Sequence, residues 1–173
     1  CKPKIDMTRE TAFFEAKELR HPLIEHLQKS EIYVPNDISL GGDNCGTLLF
    51  GTNAVGKSSL IRSIGIAIVL AQSGMFVPCS SFVYRPYMQL FTRILGNDNI
   101  FKGLSTFAVE MSELRTILNM STENSLILGD ELCSGTETTS ALKIFAAGVI
   151  RLHERNANFI FATHFHEVTH MKE

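Results

Sequence analysis

The chain has 173 residues, 45% of them apolar and 20% charged, with a formal net charge of −2, enough length for one domain with a buried core. That balance excludes a general electrostatic attraction to nucleic acid, and no run of Lys or Arg makes a basic patch. The four cysteines are scattered without a C-x-x-C pair, which reads as reduced thiols inside a cell. A disulfide frame or a zinc cluster would be spaced differently.

In chain order, residues 4–5 read as the end of a short strand, and residues 12–19 leave a strand or a helical turn open. Pro22 suits a first helical turn, so residues 22–29 predict a short helix with Leu23, Ile24 and Leu27 inward. Residues 31–34 and 38–40 read as strands separated by the turn cluster Pro35-Asn36-Asp37. The apolar run 47–50 predicts a buried strand, and residues 57–71 a helix closed by Gln72-Ser73-Gly74. The longest apolar stretch, 61–71, is broken by Arg62 and Ser63 and is too short to span a membrane. Two strands follow, at 81–84 and 88–93, then a loop at Gly96-Asn97-Asp98-Asn99. Ser105 or Thr106 caps a helix with Phe107, Met111, Leu114 and Leu118 on one face, and Glu110 and Glu113 lie in its early turns, where the dipole favours them. A buried strand at 125–129 ends in Asp130-Glu131. A helix at 137–153 is apolar at Ala141, Leu142, Phe145, Ala146, Val149 and Ile150. A second buried strand, 158–163, leads to a short helix near Phe165. The sum is α/β with a mainly parallel sheet. The chain starts with Cys and its last strand–helix unit stops abruptly, so it is expected to be a piece of a longer protein.

Gly51-Thr52-Asn53-Ala54-Val55-Gly56-Lys57-Ser58 has the G-x4-G-K-S spacing of a phosphate-binding loop, and it stands between a strand and a helix as that motif requires. Gly51 and Gly56 let successive N–H groups turn inward around phosphate oxygens. The helix N-terminus adds positive potential at the same place. Lys57 supplies a mobile charge for the β- and γ-phosphates, and the Ser58 hydroxyl is placed to ligate Mg²⁺.

Downstream, an apolar strand delivers Asp130 and Glu131 at its C-terminal end, where ligands bind in open α/β sheets. Asp130 is expected to hold Mg²⁺ through water, and Glu131 to take a proton from an attacking water. His164 directly follows the last strand and is placed to reach a γ-phosphate. The sequence His166-Glu167-Val168-Thr169-His170 also matches the zinc motif H-E-x-x-H. A third ligand is needed, however, and only three residues follow. Two surface histidines on a short helix account for it.

The order of these motifs is that of ATPases of the ABC type, and the chain resembles the ATPase domain of the MutS family of DNA mismatch-repair proteins. The resemblance rests on Arg20-His21-Pro22-Leu23-Ile24-Glu25, Gly51 to Ser59, Phe91-Thr92-Arg93-Ile94, Ser105-Thr106-Phe107, Val109-Glu110-Met111, Asp130-Glu131, Gly135-Thr136 and Ala162-Thr163-His164-Phe165. It implies a P-loop NTPase of ABC type: a parallel sheet flanked by helices, with an antiparallel portion. One ATPase domain would occupy residues 1–173, with 1–30 leading into a nucleotide-binding core at 31–173. The implied cofactors are ATP or ADP and Mg²⁺, held by the loop residues Gly51, Asn53, Ala54, Val55, Gly56, Lys57, Ser58 and Ser59. Tyr33 would stack on adenine and the Val34 backbone would read the base edge. Asn53 would face the γ-phosphate, and Ser105 would touch the γ-phosphate bound in an opposite protomer. Glu131, His164 and Lys57 would carry catalysis. The resemblance also implies a dimer with composite sites, DNA contacts in domains outside this segment, no membrane partner and an intracellular setting of unspecified compartment.

The departures are specific. The family's Gly-Pro-Asn-Met-Gly-Gly-Lys-Ser-Thr is here Gly51-Thr52-Asn53-Ala54-Val55-Gly56-Lys57-Ser58-Ser59, its usual Arg before Ser-Thr is Leu104, and Ser134 and Ser140-Ala141 replace an Arg and an Asp-Gly. They point to a divergent branch, viral or organellar. Two alternatives stay open: another ABC-type ATPase of DNA maintenance, whose Leu-Ser-Gly-Gly is not matched by Gly103-Leu104-Ser105-Thr106, and a nucleotide-gated DNA clamp with little hydrolysis.

Overall fold

Among the described residues, two four-stranded sheets enclose the helix that follows the glycine loop. The computed structural model describes residues 1–27, 32–52, 55–93, 106–130 and 138–164. Its elements are β1 (Lys4–Ile5), β2 (Phe13–Leu19), α1 (Pro22–Leu27), β3 (Asn36–Leu40), β4 (Gly46–Leu49), α2 (Lys57–Gln72), β5 (Ser81–Arg85), β6 (Gln89–Arg93), α3 (Thr106–Met120), β7 (Ser125–Asp130), α4 (Thr138–Glu154) and β8 (Asn158–Ala162). One sheet has the order β4-β8-β7-β6 and is parallel throughout. The other has the order β1-β5-β2-β3, with β2 antiparallel to both its neighbours. The expected α/β class, with a parallel sheet, flanking helices and an antiparallel portion, is what the chain forms.

Central position explains composition. Every residue of β7 and of β8 is buried, because helices cover one face and a helix and second sheet cover the other. Unbroken apolar runs are what such strands need. Alternation then divides the side chains between two cores. Leu126, Leu128, Ile160 and Ala162 pack with Ile61, Ile64, Ala67 and Ile68 of α2 and with Phe14, Phe82 and Leu40 of the mixed sheet. Ile127, Phe159 and Phe161 face Leu114 and Ile117 of α3 and Ala141, Phe145 and Leu152 of α4. Gly65 lets α2 come close to β7, since a β-carbon there would lie 3.1 Å from Leu128 Cδ1.

The far end of α2 is tied down. Gly74, at φ 75°, ends the helix as Gly74 N–H donates to the Ala71 carbonyl at 3.1 Å and Met75 N–H to Leu70 at 2.9 Å, a Schellman closure. Tyr84 Oη of β5 donates to the Ala71 carbonyl. The Gln72 amide both donates to and accepts from the Tyr87 backbone. Between the sheets, buried Asn158 donates to the Ala12 carbonyl at 2.8 Å and to Tyr87 Oη at 2.9 Å.

Several local expectations are corrected. Over its described residues helix α1 has no buried residue, and Leu23 and Leu27 are exposed; residues 28–29 of the expected helix lie outside the described residues. Residues 32–35 form no strand, and the strand begins instead at Asn36. Asp37 accepts from Glu18 N–H and Lys17 Nζ, which fastens it across a bulge in β2 where Glu18 has φ 52°. Strand β4 is half-buried rather than buried because it forms an edge of its sheet. Glu110, on an early turn of α3, is buried. On α4, Ile150 is exposed and Leu152 is inward.

Replacing Asn158 by Ala leaves the Ala12 carbonyl and Tyr87 hydroxyl without this donor. Urea unfolding is expected to show a loss of about 1–3 kcal/mol.

Candidate functional site

The parallel sheet assembles the site by register. Leu49 of β4 pairs with Ala162 of β8, and Ala162 pairs with Asp130 of β7. With strands about 4.8 Å apart, this row places the end of β4 roughly 10 Å from Asp130. One residue further, Thr163 N–H donates to the Leu49 carbonyl at 3.0 Å, so His164 emerges between the two flanking strand ends. The loop containing Lys57, the Asp130 carboxylate and His164 therefore share the C-terminal edge of one sheet.

Parity adds direction. Asp130 is in phase with Leu126 and Leu128, whose side chains meet α2. Its carboxylate is thus directed to the face from which α2 starts. Asp130 is 5% exposed, and its Oδ1 is buried with no hydrogen-bond partner among the described residues. A buried carboxylate oxygen left so is costly unless a cation or a donor meets it.

Gly56 is the N-cap of α2, with φ 96° and ψ 7°, and its carbonyl accepts the Leu60 N–H at 2.9 Å. A β-carbon there would meet nothing among the described residues within 4 Å, and the left-handed φ calls for glycine by backbone conformation. No side chain caps this end of α2, and its first turn holds no acidic residue. The N–H groups of Lys57, Ser58 and Ser59 stand at the positive end of the helix dipole. Lys57 Nζ folds back over the loop and donates to the carbonyls of Gly51 at 2.6 Å and Thr52 at 2.8 Å. Val55 is exposed, and Ser58 and Ser59 are half-buried. Ser59 also accepts, through its carbonyl, from Ser63 Oγ.

Tyr33 lies half-buried beside α1, its hydroxyl accepting the His21 N–H at 3.0 Å, and Val34 is exposed. Of the remaining expected site residues, Asn53, Ala54, Ser105 and Glu131 lie outside the described residues, as do Gly135, Thr136 and the H-E-x-x-H segment. Among the described residues no group of three or more His, Cys, Asp or Glu is placed to hold a metal ion, and no helix is long and apolar enough to cross a membrane.

One charged group on this edge was absent from the expected set. Arg93 ends β6, paired with Gly129 next to Asp130, and its Nε lies 3.0 Å from Glu113 of α3. The ion pair ties α3 to the strand ends. Its signal in the sequence is an Arg closing a strand and a Glu two turns into the next helix, too common a pattern to be singled out.

A parallel sheet with a glycine turn and a helix N-terminus at its C-terminal edge makes this a P-loop-like α/β fold. Within that class the chain belongs to the MutS family: the model of MutS domain V matches residues 47–173. The chain is 49% identical, over 90% of its length, to the mitochondrial DNA mismatch repair protein mutS homolog of Sarcophyton glaucum. It is 42% identical over its whole length to a mutS homolog of Acanthamoeba polyphaga mimivirus. It is 41% identical, over 90% of its length, to the DNA mismatch repair protein MutS of Caldanaerobacter subterraneus subsp. tengcongensis. It spans 16%, 19% and 18% of the lengths of these three relatives.

His21 flanks the base of α2. Its Nδ1 accepts the Ile24 N–H at 3.3 Å, and burial holds its pKa below the ordinary histidine value, with Arg62 pushing the same way. The native ring is therefore the neutral one, while the unfolded chain takes up a proton near pH 6.5. Stability from this residue is present above that pH and is lost as pH falls through the lowered native pKa. Urea unfolding at pH 7.5 and 5.5 is expected to show the loss, and His21→Asn to flatten it.

Proposed function

We propose that this chain is the ATP-binding and ATP-hydrolysing domain of a MutS-like DNA mismatch-repair protein. The observation that supports the reading best is the row Leu49–Ala162–Asp130 with His164 just beyond it. It brings the glycine loop, a buried carboxylate and a histidine to one edge of the sheet.

In this reading the triphosphate lies across the N-terminus of α2, where the N–H groups of Lys57, Ser58 and Ser59 and the loop of Gly51, Asn53, Ala54, Val55 and Gly56 surround its oxygens. Lys57 exchanges its loop carbonyls for the β- and γ-phosphates. The Ser58 hydroxyl and Asp130, whose Oδ1 has no hydrogen-bond partner among the described residues, would form a hard oxygen donor set that fits Mg²⁺, with Asp130 acting through water. When bound, the ion supplies charge neutralisation on the phosphates. Tyr33 stacks on adenine, and the Val34 backbone reads its edge.

Glu131, next in the chain after Asp130, takes a proton from the attacking water. The water oxygen bonds to the γ-phosphorus as the bond to the β–γ bridging oxygen breaks, releasing ADP and phosphate. His164 contacts the γ-phosphate and holds the transferring group in line. Ser105, just before α3, completes the site of a second copy in a dimer of the longer protein, whose other domains hold DNA.

Lys57→Ala is expected to abolish tight ATP binding, measured by calorimetry on the protein; near-native affinity would remove the loop as the phosphate site. Glu131→Gln is expected to keep ATP affinity and slow steady-state phosphate release by about 100-fold or more. Unchanged turnover would take Glu131 out of the general-base role.

A further inference from the structure

We propose that Cys1 and Cys79 form a reversible disulfide that joins the segment leading into β1 to the connection between α2 and β5. Their Sγ atoms are 3.4 Å apart, each on a half-buried residue, although 78 positions separate them. A bonded pair needs about 2.05 Å between sulfurs, so closing the bond asks for roughly 1.4 Å of approach, within the reach of a side-chain rotation.

The backbones are already held in register. Val77 N–H donates to the Cys1 carbonyl at 2.8 Å, and Cys79 N–H donates to the Val77 carbonyl at 2.9 Å. The adjacent pairing of Lys4 with Val83 and Ile5 with Tyr84 carries the same alignment along β1 and β5. Cys45 offers a contrast within the chain. Its thiol stands 3.2 Å from His153 Nδ1, beside a cavity of about 250 Å³ near the N-terminal ends of β4 and β8.

A small disulfide such as oxidised glutathione supplies the oxidant. The Cys1 thiolate attacks one of its sulfurs, the S–S bond breaks, and one glutathione leaves as a thiolate that takes up a proton. Cys79, once deprotonated, attacks the Cys1 sulfur of this mixed disulfide, and the second glutathione leaves. Two protein thiols are oxidised and one glutathione disulfide is reduced to two thiols. The order follows from burial, which pushes the Cys79 thiol above its ordinary pKa and suits it to the second step, where its target is already beside it. The bond would lie beyond the C-terminal end of α2, whereas the glycine loop is at the N-terminal end.

The test is equilibration of the protein with oxidised glutathione, an acid quench, alkylation of remaining thiols, and peptide mapping without reduction. The expected result is a Cys1–Cys79 linked peptide at least about tenfold more abundant than any link through Cys45 or Cys133, cleared by dithiothreitol. In Cys79→Ser the link is absent and Cys1 carries glutathione, while the reduced variant melts as the reduced parent does. Recovery of Cys1 and Cys79 both alkylated, both glutathionylated, or joined to other cysteines overturns the proposal.

Discussion

The hydrogen-bond register of β8 against its two neighbours is the constraint on which the candidate site depends. In a parallel ladder each strand is fixed by evenly spaced bonds, and a slip of one residue turns every side chain to the opposite face. Here a slip would carry Ile160 and Ala162 out of one core and Phe159 and Phe161 out of the other. It would also part Asp130 from the level of Leu49. The apolar side chains that hold the register sit below the edge that carries the candidate site. Phe159 and Phe161 stack at 5.3 Å, and Phe145 meets Phe161 edge-on at 5.8 Å, packing that resists such a slip.

What could be read from the sequence follows from how local its cause is. Strands β7 and β8 were legible because burial on both faces leaves an uninterrupted apolar run. Helix α2 was legible because Gly56 and Gly74 bracket it, each in a left-handed conformation. The order in which the strands lie was not. Nothing near residues 158–162 says that this strand enters between β4 and β7, since that depends on which faces α2, α3 and α4 cover. Asn36 and Asp37 have turn chemistry, yet a bulge at Glu18 draws Asp37 into a strand. Leu23, Ile24 and Leu27 have helical spacing, yet Leu23 and Leu27 face solvent.

For the candidate site, the glycine loop and the Asp130 position were legible from spacing and strand context. The Arg93–Glu113 pair was not, because it joins residues whose proximity only the sheet edge creates. Similarity to MutS domain V and to three much longer relatives agrees with the motif order. The chain spans less than a fifth of the length of each of these relatives.

The anchoring of α2 has a mechanical consequence. Its last turn is bonded to Tyr84, Gln72 is latched onto the backbone of Tyr87, and a Schellman turn closes it, while its first turn borders the glycine loop. So latched, the helix has its far end fixed against β5 and the Tyr87 backbone. Its two ends stand some 24 Å apart for sixteen residues, with the mixed sheet packed along the helix between them. The helix thus bridges the glycine loop and that latch as a single strut.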